Sequence, residues 1–438
     1  MSVLGSLPPV SQSSALGNAP TPRPRLMSLD ALRGFDMFWI LGADALVRAL
    51  EKMGDNPVSR LLGSQLSHVE WAGFHFYDLI FPLFVFIAGV SSVWSLEKEK
   101  ALHGGAGAAR RVVRRGLLLV VIGVFYSGGF SAEWPNIRLL GVLQRIGLAY
   151  LFAGLASLWL RPRGLAGLCA GLLIGYWGLM TFTPIRDIQL EKSALDDRAS
   201  RAGDDATAKL FEGDANPSAV KDSPAWAAAE RMYAETSGTV SGRFEKGYNL
   251  ANHVDFRFLP GKRYDHFSDP EGLLSTLPAI ATCLLGILAG GLLRSAATDR
   301  DKLVRLAVLG LAGVVLGFVW SYQFPIIKKV WSSSFVLVAG GFSALLLALF
   351  YLIVDVWNYR GWCQPFVWIG MNSITVYLAN NIIGFRHLAE RFVGGDIRAT
   401  LDAHIAQGVG DLVLALTGLA LGVVLCWFLH QRKIFLRL

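Results

Sequence analysis

Charge is what this sequence has little of. Asp, Glu, Lys and Arg make up 17% of its 438 residues, against about a quarter in soluble chains. That scarcity argues against two or three water-soluble domains, which the length alone would allow. Cysteine is also sparse. The four present, Cys169, Cys283, Cys363 and Cys426, form no C-x-x-C pair and lie in or at the ends of apolar runs. This placement argues against a zinc site and a disulfide framework; the four read as small buried hydrophobes. Several chemical signatures are missing. There is no P-loop, no G-x-G-x-x-G after a strand, no G-x-S-x-G and no H-E-x-x-H. His68 and His75 lack a third ligand at metal spacing, so no metal is expected.

Apolar length is what the chain has. Hydrophobic residues reach 53% and the mean hydropathy is +0.44. A bilayer span takes about 20 mostly apolar residues. Ten stretches qualify: 29–50, 74–95, 112–130, 139–160, 165–184, 272–292, 303–321, 333–356, 363–384 and 409–430. The expected fold is therefore all-α, a polytopic transmembrane bundle of about ten spans. Residues 1–25, rich in Ser, Pro, Gly and Ala, read as a disordered tail and not a cleaved signal peptide. Residues 26–184 form a first five-helix half and 272–438 a second, with a basic end. Between them, 185–271 is a long loop or cap. Its stretch 191–224 has the composition of a flexible loop, while the aromatic stretch 244–271 is expected to be ordered. Gly286 and Gly290 stand on one helix face, where small residues let membrane helices approach closely.

The net charge is +8, and its distribution carries topology, not nucleic-acid binding. With the N-terminus inside, the inner segments hold eighteen Lys and Arg and the short outer loops nine. The bias places both termini in the cytoplasm and 185–271 outside. The run Arg110, Arg111, Arg114 and Arg115 reads mainly as topology signal, with a ligand phosphate as its second reading.

Polar residues inside the spans need an account. A carboxylate carried into hydrocarbon costs about 2.5–3.5 kcal/mol even on the mildest scale. Asp44 lies ~21 Å along span one, and Asp78 ~6 Å below the outer boundary on span two, at a rise of 1.5 Å per residue. The two therefore share a depth near one face, with His68 and Glu70 just outside. Gln144 and Arg145 enter from the same face, and Arg145 is the expected counter-ion of Asp78 or Asp44. Asp269 or Ser268 is expected to cap span six. Glu271, Asn372 and Asn380 are further polar candidates, for substrate contact or for hydrogen bonds between helices. Histidine titrates nearest neutrality, so His68, oriented by Glu70, Asp44 or Asp78, is the candidate base. A sugar or ion transporter would carry similar buried charges.

Six segments, in order, resemble one family over roughly residues 26–430. They are Ser28-Leu29-Asp30-Ala31-Leu32-Arg33-Gly34 and His68-x-x-Trp71-x-Gly73-x4-Asp78-Leu79-x-Phe81-Pro82-x-Phe84-Val85-Phe86. Then follow Gly141-Val142-Leu143-Gln144-Arg145-Ile146, Asp269-Pro270-Glu271-Gly272, Trp331-x-x-Ser334-Phe335-Val336 and Gly370-Met371-Asn372-Ser373-Ile374. The chain resembles the heparan-α-glucosaminide N-acetyltransferase family, especially its bacterial members. The resemblance implies an acyltransferase in the bacterial inner membrane. Acetyl-CoA would be the co-substrate, taken from the cytoplasmic side, and an amino-sugar the acceptor on the other. It implies that the family's catalytic histidine falls at His68. Asp44 stands where animal lysosomal members carry an asparagine. O-acetylation of a cell-envelope glycan is the second enzymatic reading, and direct transfer and an acetyl-histidine route both stay open. The expected partners are the glycan acceptor and membrane lipid, with a homodimer as one permitted assembly and no nucleic acid.

Overall fold

The computed structural model describes residues 26–436 apart from 55–56, 132, 135 and 212–222, and without the side chains of Ala43 and Asp44. The tail read over 1–25 lies outside the described residues. In hydrocarbon, backbone N–H and C=O groups must be satisfied within the segment, so apolar runs fold as helices. The first group comprises α1 (Met27–Met53), α2 (Pro57–Gln65), α3 (Phe76–Tyr126), α4 (Val142–Trp159) and α5 (Pro162–Phe182). α3 holds two of the expected spans. Gly104 within it has φ of 69°, a conformation that glycine adopts without steric cost. Arg111 Nη1 lies 2.7 Å from Glu99 Oε2. Twelve residues of straight helix would hold them about 18 Å apart, so the chain turns sharply at Gly104.

Within 185–271 the described residues fold into a small unit, the cap. It comprises β1 (Ile185–Arg186), α6 (Lys192–Arg201), α7 (Asp205–Ala208), α8 (Pro224–Glu235), β2 (Thr239–Val240) and α9 (Leu250–Phe258). β1 and β2 pair antiparallel, Ile185 opposite Val240. Leu195, Trp226, Tyr233, Phe256 and Phe267 form its own buried core. Arg263 closes it, donating to the carbonyls of Asp255 at 3.0 Å and Gly261 at 3.3 Å with its guanidinium over the Trp226 ring. The flexible loop read at 191–224 is corrected in part. α6 and α7 occupy 192–208 because Leu195 and Ala199 bury one face of an otherwise polar helix.

The second group is α10 (Thr276–Arg294), α11 (Asp299–Trp320) and α12 (Ser333–Phe350), with a π-helical turn at Tyr351–Val356. α13 (Gln364–Met371), α14 (Ser373–Ile383), α15 (Phe385–Val393), α16 (Gly395–His404) and α17 (Val409–Gln431) follow. Among the described helices seven are long and apolar enough to cross a membrane, or eight if α13 and α14, bent by 79°, count as one span. The fold is an all-α polytopic membrane bundle. The excess of expected spans over these helices has two sources. α3 carries two, and α1, with Asp30, Arg33 and Asp36, is too polar to qualify.

Glycines set the closest approaches. A Cβ on Gly286 would overlap the Phe86 carbonyl oxygen, and one on Gly89 the Cys283 carbonyl. α3 and α10 thus touch backbone to backbone. Gly34 and Gly370 interlock α1 with α13 in the same way, against the carbonyls of Phe366 and Asp30. α10 also packs on α4 and α5, so the two sequence halves share one core.

Candidate active site

The loop between α2 and α3 is fixed before its side chains act. Gly73 N–H donates to Ile326 O at 2.9 Å, Ala72 pairs with Ile327, and Trp71 Nε1 donates to Phe244 O of the cap at 2.8 Å. Held between the 324–331 loop and the cap, this segment presents His68 to the start of α3. Asp78, in the first turn of α3, is 1% exposed. Its Oδ2 accepts the His75 N–H at 3.1 Å and the Val69 N–H at 3.3 Å. Its Oδ1 lies 2.8 Å from His68 Nδ1 and 3.4 Å from Lys328 Nζ. An acidic residue in a first turn also suits the helix dipole.

His68 is half-exposed, and its ring stacks on Tyr77 at 4.5 Å between centroids. With Nδ1–H donating to Asp78, Nε2 keeps a lone pair. Lys328 Nζ lies 2.9 Å from Nδ1 and 3.1 Å from Nε2. Burial pulls the Lys328 amine below its ordinary pKa, and Asp78 offsets part of that effect.

The His68–Asp78 pair opens into a cavity of about 340 Å³. Its depth is apolar, lined by Met37 and Ile40 of α1, Ile80, Phe81 and Phe84 of α3, and Ile146 of α4. Its rim is polar: Arg138, Tyr264, Glu271, Lys328 and Lys329. Arg138 organises this rim. It donates to Asp269 from Nε at 3.1 Å and from Nη2 at 2.8 Å, and to Glu271 at 2.7 Å. Burial opposes the Arg138 charge, but the two carboxylates outweigh it and hold the guanidinium above its ordinary pKa. Burial, then the neighbouring Asp269, push Glu271 up to about 7. Asp255, buried beneath, is also pushed up to about 7 by burial, although the N–H groups of Leu273 and Asp269 bond to it.

Several expectations are corrected here. Arg145 does not pair with Asp78. It is buried, stacks on Trp331 at 4.9 Å, and donates to Ser275 Oγ and to Gly272 O at 3.3 Å. α4 turns it toward the 269–275 turn instead of toward α3. Asp269 does not cap α10, which starts at Thr276; it binds Arg138 and the N–H groups of Tyr264 and Glu271. Glu70 is exposed and is not among the groups on His68; Asp78 takes that place. Arg110 and Arg114 are exposed, and Arg111 pairs with Glu99. This basic run follows the Gly104 turn, which itself lies about 39 Å of helix beyond Asp78, and none of it lines this cavity. Gln144 is buried against Gly123. Asn372 sits at the α13–α14 break, with Nδ2 3.5 Å from Trp368 O. Asn380 is half-buried on α14 and does not line the cavity. The Asp44 side chain lies outside the described residues.

Lys328, Arg138 and Tyr264 were missed. Lys328 and Lys329 sit beside the motif residue Trp331, and Arg138 precedes the motif Gly141 by three; both positions were readable as basic residues near motif ends. No group of three or more His, Cys, Asp or Glu among the described residues is placed to hold a metal.

Comparison with known proteins is consistent with this geometry. The family model described as heparan-alpha-glucosaminide N-acetyltransferase, catalytic, matches residues 25–191, a range that holds His68, Asp78, Arg138 and Arg145. The chain is 26% identical over 411 residues to the heparan-alpha-glucosaminide N-acetyltransferase of Homo sapiens, with 84% of this chain and 55% of that protein covered. Against the Mus musculus protein of the same description it is 28% identical over 405 residues, covering 84% and 56%. The chain thus spans about half the length of these curated relatives.

Proposed function

We propose that the chain is a member of the heparan-α-glucosaminide N-acetyltransferase family and that it transfers an acetyl group from acetyl-CoA to an amino-sugar of glucosamine type. The single observation that carries this reading is His68, oriented by Asp78, opening on a cavity with an apolar depth and a charged rim. A mostly apolar cavity with a few convergent polar groups suits a small-molecule site. The apolar depth fits a thioester-bearing arm. The rim, with Glu271, Tyr264 and two lysines, fits a polar sugar. In the proposed orientation the nucleotide comes from the cytoplasmic side and the sugar from the cap side, outside.

The step follows from the chemistry of the groups. The acceptor amine nitrogen attacks the thioester carbonyl carbon, a C–N bond forms, and the carbonyl electron pair moves to oxygen. His68 Nε2 takes the amine proton as that bond forms. Lys328 Nζ, next to the ring, supplies positive charge for the oxyanion. Collapse breaks the C–S bond, and the proton held by His68 passes to the leaving thiolate. The products are the N-acetyl sugar and free coenzyme A. Asp78 fixes the tautomer and favours the imidazolium formed midway, the part a carboxylate plays behind a catalytic histidine.

The test is acetyl transfer by purified protein in detergent with acetyl-CoA and glucosamine. The parent is expected to release coenzyme A thiol in step with N-acetylated sugar; a transporter would release none. His68→Ala is expected to lose about 10²–10⁴-fold in turnover while keeping its melting temperature, because the half-exposed ring supports little core. A well-folded His68→Ala protein retaining more than about a tenth of parental turnover would overturn the assignment.

A further inference from the structure

We propose that the cleft between α1, α15, α16 and α17 binds the phosphate of an anionic phospholipid headgroup. This cleft shares no residue with the cavity at His68, and its argument is independent of the acetyl-transfer reading. It is a hollow of about 70 Å³ lined by Arg48 and Lys52 of α1, Arg386 of α15, Arg398 of α16 and Asp411 of α17. Four cations from three helices face one carboxylate. Asp411 is already engaged, 2.7 Å from Lys52 Nζ and 2.8 Å from Arg398 Nη2. Among the described residues Arg386 makes only a long ion contact, 3.7 Å, with Glu390. Arg48 forms no ion pair among the described residues. Asp402, on α16, is taken by the N–H groups of Gly408 at 3.0 Å and Gly410 at 2.8 Å. The lining groups therefore carry three positive charges beyond the single carboxylate, in a hollow the size of one phosphate.

The surroundings select the source of that phosphate. α15 has 9 residues and α16 has 10, about 14–15 Å each and too short to cross a bilayer. They lie in sequence between α14 and α17. Phe392, Ile397 and Ile405 are exposed by 59%, 52% and 66%, and α16 buries no residue in the protein. Short helices that expose apolar side chains next to arginines suit the membrane interface, where the apolar face enters the acyl region. Basic pockets between membrane helices on the cytoplasmic side bind anionic headgroups, and this cleft offers the same chemistry on the face that the proposed orientation puts outside. The forked guanidinium matches phosphate geometry better than a lysine would. A soluble phosphate would satisfy the charges but would leave the flanking apolar side chains without a partner.

The experiment is native mass spectrometry of the delipidated full-length protein in non-ionic detergent, with equimolar phosphatidylglycerol and phosphatidylcholine, paired with thermal melting. The parent is expected to retain phosphatidylglycerol preferentially and to melt higher in its presence. Arg48→Gln combined with Arg386→Gln is expected to weaken that retention roughly thirtyfold, at about fivefold per cation near the membrane surface. Arg391→Gln, an exposed arginine outside the cleft, is expected to behave as the parent. If the double variant does not fold, Arg48→Gln alone decides, with a loss of about fivefold expected. Retention unchanged in the folded variants overturns the proposal. So does equal stabilisation of the parent by millimolar inorganic phosphate that disappears in the same variants, because the site then takes a soluble anion.

Discussion

Each ionisable side chain near the cavity is defined by what closes around it. Asp78 alone would be costly at the edge of a membrane helix, yet it receives two backbone N–H groups, His68 and Lys328. Glu271 is the contrasting case. It is pushed up to about 7 by burial and then by Asp269, whereas an unperturbed glutamate titrates near 4.3. The folded protein thus holds this proton at pH values where the unfolded chain has released it. Stability therefore falls as pH rises between those two values. In detergent the parent is expected to melt at a higher temperature at pH 5 than at pH 7.5. Glu271→Gln cannot ionise and is expected to show a smaller drop, while Asp255, pushed up likewise, keeps part of it. An equal drop in parent and variant would assign the pH dependence to other groups. His68 and Asp78 were readable in the sequence as titratable residues at a span boundary. The Lys328 contribution was not, because 260 residues separate it from His68.

Between helices, the decisive contacts are made by residues with no side chain. Gly286 and Gly290 share a face of α10, and both meet the backbone of α3; Gly291, next to them, meets nothing within 4 Å. Gly286→Val is expected to force the Phe86 carbonyl aside and to cost about 1–3 kcal/mol or more as overpacking. Folded yield and melting temperature in detergent check this. Gly291→Ala, in the same helix, is expected to be neutral or slightly stabilising by its gain in helix propensity. If both variants melt alike, the close α3–α10 approach is wrong. The spacing of these glycines was legible in advance, since small residues four apart mark one face. The helices α15 and α16 were not, because neither is apolar or long enough to register as a span, and Gly384, Gly394 and Gly395 break the pattern.

Taken as a whole, the molecule gathers most of its dispersed motif segments at one end. His68 reaches Lys328, Trp331 stacks on Arg145, and Trp71 bonds to the cap through Phe244, while the Asp30–Gly34 turn interlocks with Gly370 toward the other end of α1. The end at His68 bears the cap, and in the proposed orientation it faces outside the cytoplasm. Ala101 is exposed before the Gly104 turn, and Ser237 is exposed in the cap. In a background with the four buried native cysteines replaced, Ala101→Cys and Ser237→Cys are expected to label oppositely with an impermeant thiol reagent. In intact cells Ser237→Cys should react and Ala101→Cys only after permeabilisation. Equal labelling before permeabilisation would overturn the proposed orientation.

The sequence by itself determined the class and the parts. Scarce charge with long apolar runs leaves a helical membrane bundle as the stable outcome, because hydrocarbon offers the backbone no other partner. His68, Asp78 and Glu271 of the candidate site stood in motifs, with Asp78 one of three carboxylates expected beside His68, whereas Lys328, Arg138 and Tyr264 stood outside them. Tertiary structure decided which other charges met. Arg145, the counter-ion the sequence offered for Asp78 or Asp44, and Arg138 lie seven residues apart, on α4 and just before it. Helix rotation turned Arg145 onto Trp331 and the 269–275 turn, left Arg138 to bind Asp269 and Glu271, and brought Lys328 to Asp78. Periodicity states which face of a helix is apolar. It does not state which neighbour that helix packs against, and ion pairs between distant segments depend on that choice.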